Sequence, residues 1–140
     1  MTFNDLAARL LRSPFHWMLG ADTMLITVIG RKSGRPVTVP VNFHAEEEAL
    51  WVTSRRDRVW WRNLPAHPEM TVWLHGKQRS GRGELVFERN AVAEQLARIY
   101  AGDPALARAL HVRLDPGGRP DPEDQKRVVE DRLLIKVSLN

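Results

Sequence analysis

Apolar residues run almost without a break through Met24-Leu25-Ile26-Thr27-Val28-Ile29 and stop at Gly30. A continuous run predicts a strand over residues 23–30 that is buried on both faces, since a half-exposed strand alternates instead. Turn chemistry follows in Gly30-Arg31-Lys32-Ser33-Gly34-Arg35-Pro36, and Val37-Thr38-Val39-Pro40-Val41-Asn42-Phe43 resumes extended chain. Residues 37–44 are therefore expected to fold back on the first strand as a hairpin. The acidic residues 45–48 read as a solvated turn, 49–54 as a third strand, 70–75 as a fourth and 78–87 as a fifth. Gly81 and Gly83 inside the fifth predict a bulge. Residues 128–139 return to strand and close the set.

Helical spacing and caps fill the rest. Asn4 and then Ser13-Pro14 start two short helices in residues 1–22, the second ending at Gly20. Residues 59–64 have helical character and stop near Pro65. A helix capped by Asn90 buries Val92, Leu96 and Ile99, and Asp103-Pro104 opens another that runs to about His111. Residues 115–124, rich in proline, glycine and aspartate, read as a patternless loop.

Five or six antiparallel strands with few helices cannot build a parallel nucleotide-binding sheet. The expectation is a mainly β, α+β fold: a closed or split antiparallel β-barrel with helices outside, because closure removes exposed edges. One domain is expected over residues 1–140, with a helical segment at 1–22, a barrel core at 23–87, helices at 90–111 and the closing strand at 128–139.

Composition changes this picture in two ways. The formal net charge is +4, which favours an anionic partner. There is no cysteine, hence no disulfide framework and no zinc-thiolate site. No apolar run reaches the length of a bilayer span, and Met1-Thr2-Phe3-Asn4-Asp5 lacks the basic and apolar regions of a secretory signal, so a cytoplasmic setting is expected.

Charge is concentrated at strand ends. Arg31, Lys32 and Arg35 sit in the hairpin turn, and Arg55, Arg56 and Arg58 follow the third strand, with Arg62 nearby. A soluble hairpin tip and a solvated face account for both clusters in the simplest case. If the third strand lies beside the hairpin, both clusters crown one barrel end and form a groove for a small polyanion. A nucleic-acid stripe would need basic residues along one element with exposed stacking aromatics, and Trp51 and Trp73 fall inside strands instead. No nucleic-acid partner is expected. In Trp60-Trp61-Arg62-Asn63-Leu64 the adjacent indoles point about 100° apart on a helix, so one can enter the core while the other faces the groove. Asn63 reads as a polar group bonded to backbone near the helix end.

The catalytic inventory is thin. His16, His44, His67, His75 and His111 show no metal-ligand spacing, and there is no nucleophile elbow or catalytic carboxylate pair. No metal is expected, and no catalytic side chain is assigned. An enzyme of this composition would rely on a bound cofactor.

Taken in order, Gly30-Arg31-Lys32-Ser33-Gly34, Pro40-Val41, Val52-Thr53-Ser54, Trp60 or Trp61 with Asn63-Leu64, and His67-Pro68 resemble the deazaflavin-dependent nitroreductase and quinone-reductase family of the flavin/deazaflavin oxidoreductase superfamily. The resemblance covers roughly residues 24–87. It implies an FMN-binding-like split barrel that holds F420, whose tail carries a phosphate and an oligoglutamate, and an enzyme passing a hydride to a quinone or nitro compound. It further implies cofactor contacts at Arg31, Lys32 and Ser33, with Gly34 as support. Pro40, Val41 and Ser54 would lie beside the ring, and Trp60, Trp61 and Asn63 on the helix closing the site. Relatives have a longer glycine-containing loop where this chain has Arg55-Arg56-Asp57-Arg58, so Arg55 and Arg56 are expected to take over anion binding. FMN is the alternative cofactor, a carrier or sensor without turnover the alternative role, and the assembly a monomer or homodimer.

Overall fold

Strand β1 (Thr23–Ile29) is buried from Met24 through Val28, as a run apolar on both faces requires. The computed structural model describes residues 23–46 and 48–140, so the helices expected in 1–22 lie outside the described residues. Six more strands follow: β2 (Pro36–Asn42), β3 (His44–Glu46), β4 (Ala49–Arg55), β5 (Glu69–Leu74), β6 (Lys77–Val86) and β7 (Arg132–Leu139). A 3-10 turn, Trp60–Asn63, lies between β4 and β5. Three helices, α1 (Arg89–Gly102), α2 (Pro104–Ala109) and α3 (Pro122–Asp131), separate β6 from β7.

All strands pair antiparallel in the order β2-β1-β5-β6-β7-β4-β3. The two edge strands are consecutive in the chain, with Phe43 alone between them. Laid flat, seven strands at about 4.8 Å spacing would hold those edges roughly 29 Å apart. One residue spans only about 3.8 Å. The sheet therefore curls until its edges meet, and a split barrel results. Phe43 is buried at the seam.

Alternation divides the apolar residues between two layers. Met24, Ile26, Val28, Val52, Val72, Leu133, Ile135 and Val137 fill the barrel, which Trp60, Trp61 and Leu64 plug. The opposite face, through Trp51 and Leu134, packs on Val92, Leu96 and Ile99 of α1 and Val128 and Val129 of α3.

Several expectations need correction. Strand β2 ends at Asn42, and residues 44–46, expected at the hairpin end and in an acidic turn, form β3, because His44 pairs with Trp51 and Glu46 with Ala49. The pairing of β6 carries no bulge: Gly81 opposes Met70 and Leu139, and Gly83 opposes Val137, in unbroken register. Gly83 instead permits close packing, since a Cβ there would lie 2.5 Å from Met70 Cε and 3.1 Å from both Leu64 δ-carbons. Glu88 rather than Asn90 caps α1, its carboxylate accepting from the N–H groups of Asn90 (3.0 Å) and Ala91 (2.9 Å). Asp103 places no side-chain cap on α2 and bonds His44 Nδ1 at 2.6 Å. Residues 122–131 are helix rather than loop and strand: Asp121 accepts from Asp124 N–H at 3.1 Å and Pro122 takes the first turn.

Candidate functional site

Four antiparallel steps separate β1 from β4 in the sheet, so the two strands run the same way. Their C-terminal ends, the hairpin loop after Ile29 and the arginine loop after Ser54, therefore crown one end of the barrel. The 3-10 turn joins them. Asn63 Oδ1 accepts the N–H of Arg31 at 2.9 Å, and Trp61 Nε1 donates to the carbonyl of Arg55 at 3.1 Å.

The hairpin loop is wound tightly. Gly30 N–H donates to Arg35 O at 2.8 Å, Gly34 N–H to Gly30 O at 2.9 Å, and Arg35 N–H to Ser33 Oγ at 3.1 Å. Gly34 has φ 68°, and a Cβ on Gly30 would fall 2.7 Å from Ser33 Oγ. These bonds consume the N–H groups of Gly30, Arg31, Gly34 and Arg35. The N–H groups of Lys32 and Ser33 have no partner among the described residues, nor do the charged ends of Arg31, Lys32 and Arg35. Two consecutive backbone donors beside three uncompensated cations form an anion cradle.

The remaining candidates are spread around this cradle. Trp60 and Trp61 are both buried, so neither indole is left to face a groove. Both belong to the barrel core, and Trp61 also meets the Phe87 ring at 6.0 Å. Ser54 is buried on the inner face of β4, its hydroxyl donating to Arg55 O at 3.2 Å. Pro40 and Val41 point to opposite faces: Val41 packs on the barrel core, whereas Pro40 is exposed. Arg55 pairs with Asp57 at 3.1 Å. Arg56 is committed to the scaffold, donating from Nε to Val129 O (3.1 Å) and from Nη2 to Phe87 O (2.9 Å), with its guanidinium 4.6 Å from the Phe87 ring centroid. Burial, then the charge of Arg89, lowers its pKa below the ordinary arginine value.

Beside the cradle opens a cleft of about 320 Å³, lined by the loop from Gly30 to Ser33 and by Val37, Val59 and Asn63. Val37 and Val59 were missed in the sequence. Val37 was legible, since alternation places it on the inner face next to the turn. Val59 is 66% exposed, a large apolar side chain left in water at the cleft wall. Two roomier cavities lie elsewhere: one of about 570 Å³ at the far end of β4, by Glu46 and Lys136, and one of about 490 Å³ by His111 and Arg127. No cluster of His, Cys, Asp or Glu able to hold a metal occurs among the described residues.

Residues 12–106 match the model of the family described as F420H2-dependent quinone reductase. The chain belongs to that family. It is thus a member of a family of F420-dependent oxidoreductases. No curated protein matches the sequence. Among solved structures, a pyridoxamine 5'-phosphate oxidase-related, FMN binding protein from Nostoc punctiforme is 14% identical, with TM-score 0.58, and the match covers 98% of this chain and 80% of that one. A candidate 5-nitroimidazole antibiotic resistance protein from Bacteroides thetaiotaomicron is 16% identical over 88% of this chain and 75% of its own, with TM-score 0.57. The heme storage protein HutZ from Vibrio cholerae is 14% identical over 89% and 86%, with TM-score 0.56. At these identities the likeness establishes the split-barrel fold. No helix among the described residues is long and apolar enough to cross a membrane.

Proposed function

We propose that the cleft beside the hairpin holds F420 and that the protein passes a hydride from its reduced form to an electron-poor acceptor, a quinone or a nitro compound. The observation that carries this reading is the set of uncompensated donors, Arg31, Lys32 and the N–H groups of Lys32 and Ser33, at the edge of an apolar cleft. Arg31 and Lys32 bind the anionic tail by charge-assisted hydrogen bonds, Ser33 adds a hydroxyl donor, and Gly34 allows the turn. Val37 and Val59 would wall the ring and exclude water, with Ser54, Trp60 and Trp61 behind them on the barrel side. Bound there, reduced F420 supplies the hydride; the chain orients it against the acceptor.

The test is a fluorescence titration of the purified protein with F420 and FMN side by side, repeated on Arg31→Ala and Lys32→Ala. F420 binding that weakens in each variant by roughly 1–3 kcal/mol, the scale of a hydrogen bond to a charge, is expected. Unchanged affinity in both removes the role of the turn. A preparation that binds FMN and ignores F420 would favour the second reading, for which the Nostoc FMN binding protein is the fold precedent.

A further inference from the structure

We infer that Asn63, although it lines the cleft, is a positioning residue: its amide clamps the cationic loop for the cofactor's anionic part and acts through Arg31. The inference rests on the F420 reading above. Both ends of the Asn63 amide are engaged on backbone: Oδ1 accepts from Arg31 N–H at 2.9 Å, and Nδ2 donates to Trp60 O at 3.0 Å. The residue is 8% exposed. Its support is rigid, because Trp60 and Trp61 on the same turn are packed in the barrel core.

Among the described residues, the Asn63–Arg31 bond is the one hydrogen bond from the loop to any residue outside the hairpin. Every other bond the loop makes is internal. The loop bears three cations, and among the described residues no counter-charge is bonded to it to fix its orientation. Asn63 supplies that orientation. By consuming the N–H of Arg31 it also leaves the next two, Lys32 and Ser33, as the available pair. Holding donors in place before the ligand arrives reduces the ordering cost of binding.

Asn63→Ala and Asn63→Asp in the full chain test this. In the ligand-free protein, amide hydrogen exchange at Arg31 is expected to be slow in wild type and fast in Asn63→Ala. It stays slow in Asn63→Asp, which keeps an acceptor oxygen. F420 affinity is expected to fall about five- to tenfold in Asn63→Ala, the scale of one hydrogen bond. In an Arg31→Ala/Lys32→Ala background the same change is expected to cost less than about twofold, because the groups it positions are gone. Fully additive losses would mean that Asn63 meets the ligand directly, and would overturn the inference. So would fast exchange at Arg31 in wild type or in folded Asn63→Asp, a result that stands even if Asn63→Ala does not fold. Wild type that fails to bind F420 but protects Arg31 overturns the cofactor reading, and the role of the clamp with it, while the exchange data still report the clamp.

Discussion

Arg56→Ala separates scaffold from ligand contact in the second basic loop. The guanidinium bridges three elements: it leaves the end of β4, reaches Phe87 O just past β6 at 2.9 Å, and reaches Val129 O in α3 at 3.1 Å. Hydrogen bonds from a charged donor contribute about 1.5–3 kcal/mol when dry, and less where water competes, as it does at Nη2. The contact with the exposed Phe87 ring adds about 0.5–1 kcal/mol. Burial and Arg89 make the charged form harder to hold, which lowers the total. The net loss expected is about 2–3 kcal/mol, or a melting temperature lower by roughly 5–10 °C in a domain of this size. Affinity for F420 is expected to stay within about twofold of wild type. Arg56→Lys should restore less than half of the loss, because an ammonium lacks the planar fork that serves two carbonyls at once. Thermal melts and F420 titrations of both variants decide the matter. Unchanged melting together with weakened binding would show that Arg56 is an anion contact and that its bonds to Phe87 and Val129 carry no stability.

Gly83→Ala should destabilise by about 1–3 kcal/mol in urea melts, the range of core overpacking, because Leu64 is sealed in place beside Met70; a change under about 0.5 kcal/mol would refute the close-packing account. Trp51 is buried and its Nε1 has no hydrogen-bond partner among the described residues. Trp51→Phe is therefore expected to fall within about 1 kcal/mol of wild type, since deleting an orphaned donor offsets the lost ring area, and a loss above about 2 kcal/mol would mean the indole N–H is bonded. The N–H groups of Asn90 and then Ala91 hold the Glu88 carboxyl below the usual glutamate pKa. A depressed carboxyl stabilises above its unfolded pKa, near 4.5, and that contribution is lost as pH falls through the folded value. Glu88→Gln should thus show a smaller drop in stability between pH 7 and pH 3 than wild type, and equal drops would exclude the cap as the cause.

What the sequence disclosed was what local pattern encodes. Strand β1 was legible because burial on both faces leaves an unbroken apolar run, and the hairpin loop because glycines and cations interrupt it. Strand β3 was not, since His44 and Glu46 are polar and owe their extended form to pairing with Trp51 and Ala49. Val128 and Val129 favour strand by themselves, but the Asp121-Pro122 start and the packing against α1 hold them in helix. At the candidate site, spacing and resemblance name Arg31, Lys32 and Ser33, and their contact with a cofactor belongs to the proposal. Arg56 reads as an anion contact in the sequence because its partners in the structure, Phe87 and Val129, lie 31 and 73 residues away. The burial of both Trp60 and Trp61 follows from the plug's position in the closed barrel, and no local pattern carries that.

The cleft end crowds three cations into one short loop. Three exposed arginines have acidic partners, Arg55 with Asp57, Arg82 with Glu69, and Arg113 with Asp121 and Asp124, whereas others, such as Arg58, Arg89 and Arg108, pair with no acid among the described residues. Arg31, Lys32 and Arg35 share one short loop with no such partner among the described residues, so their mutual repulsion opposes the fold, weakened by salt over a screening length of about 8 Å. Val59 likewise leaves apolar area in water that burial would stabilise by about 25 cal/mol per Å². Neither feature helps the ligand-free protein, and both are relieved by one kind of occupant: an anion joined to an apolar ring. Asn63 adds to this, because its buried amide holds the loop to the barrel while leaving the Lys32 and Ser33 N–H groups open.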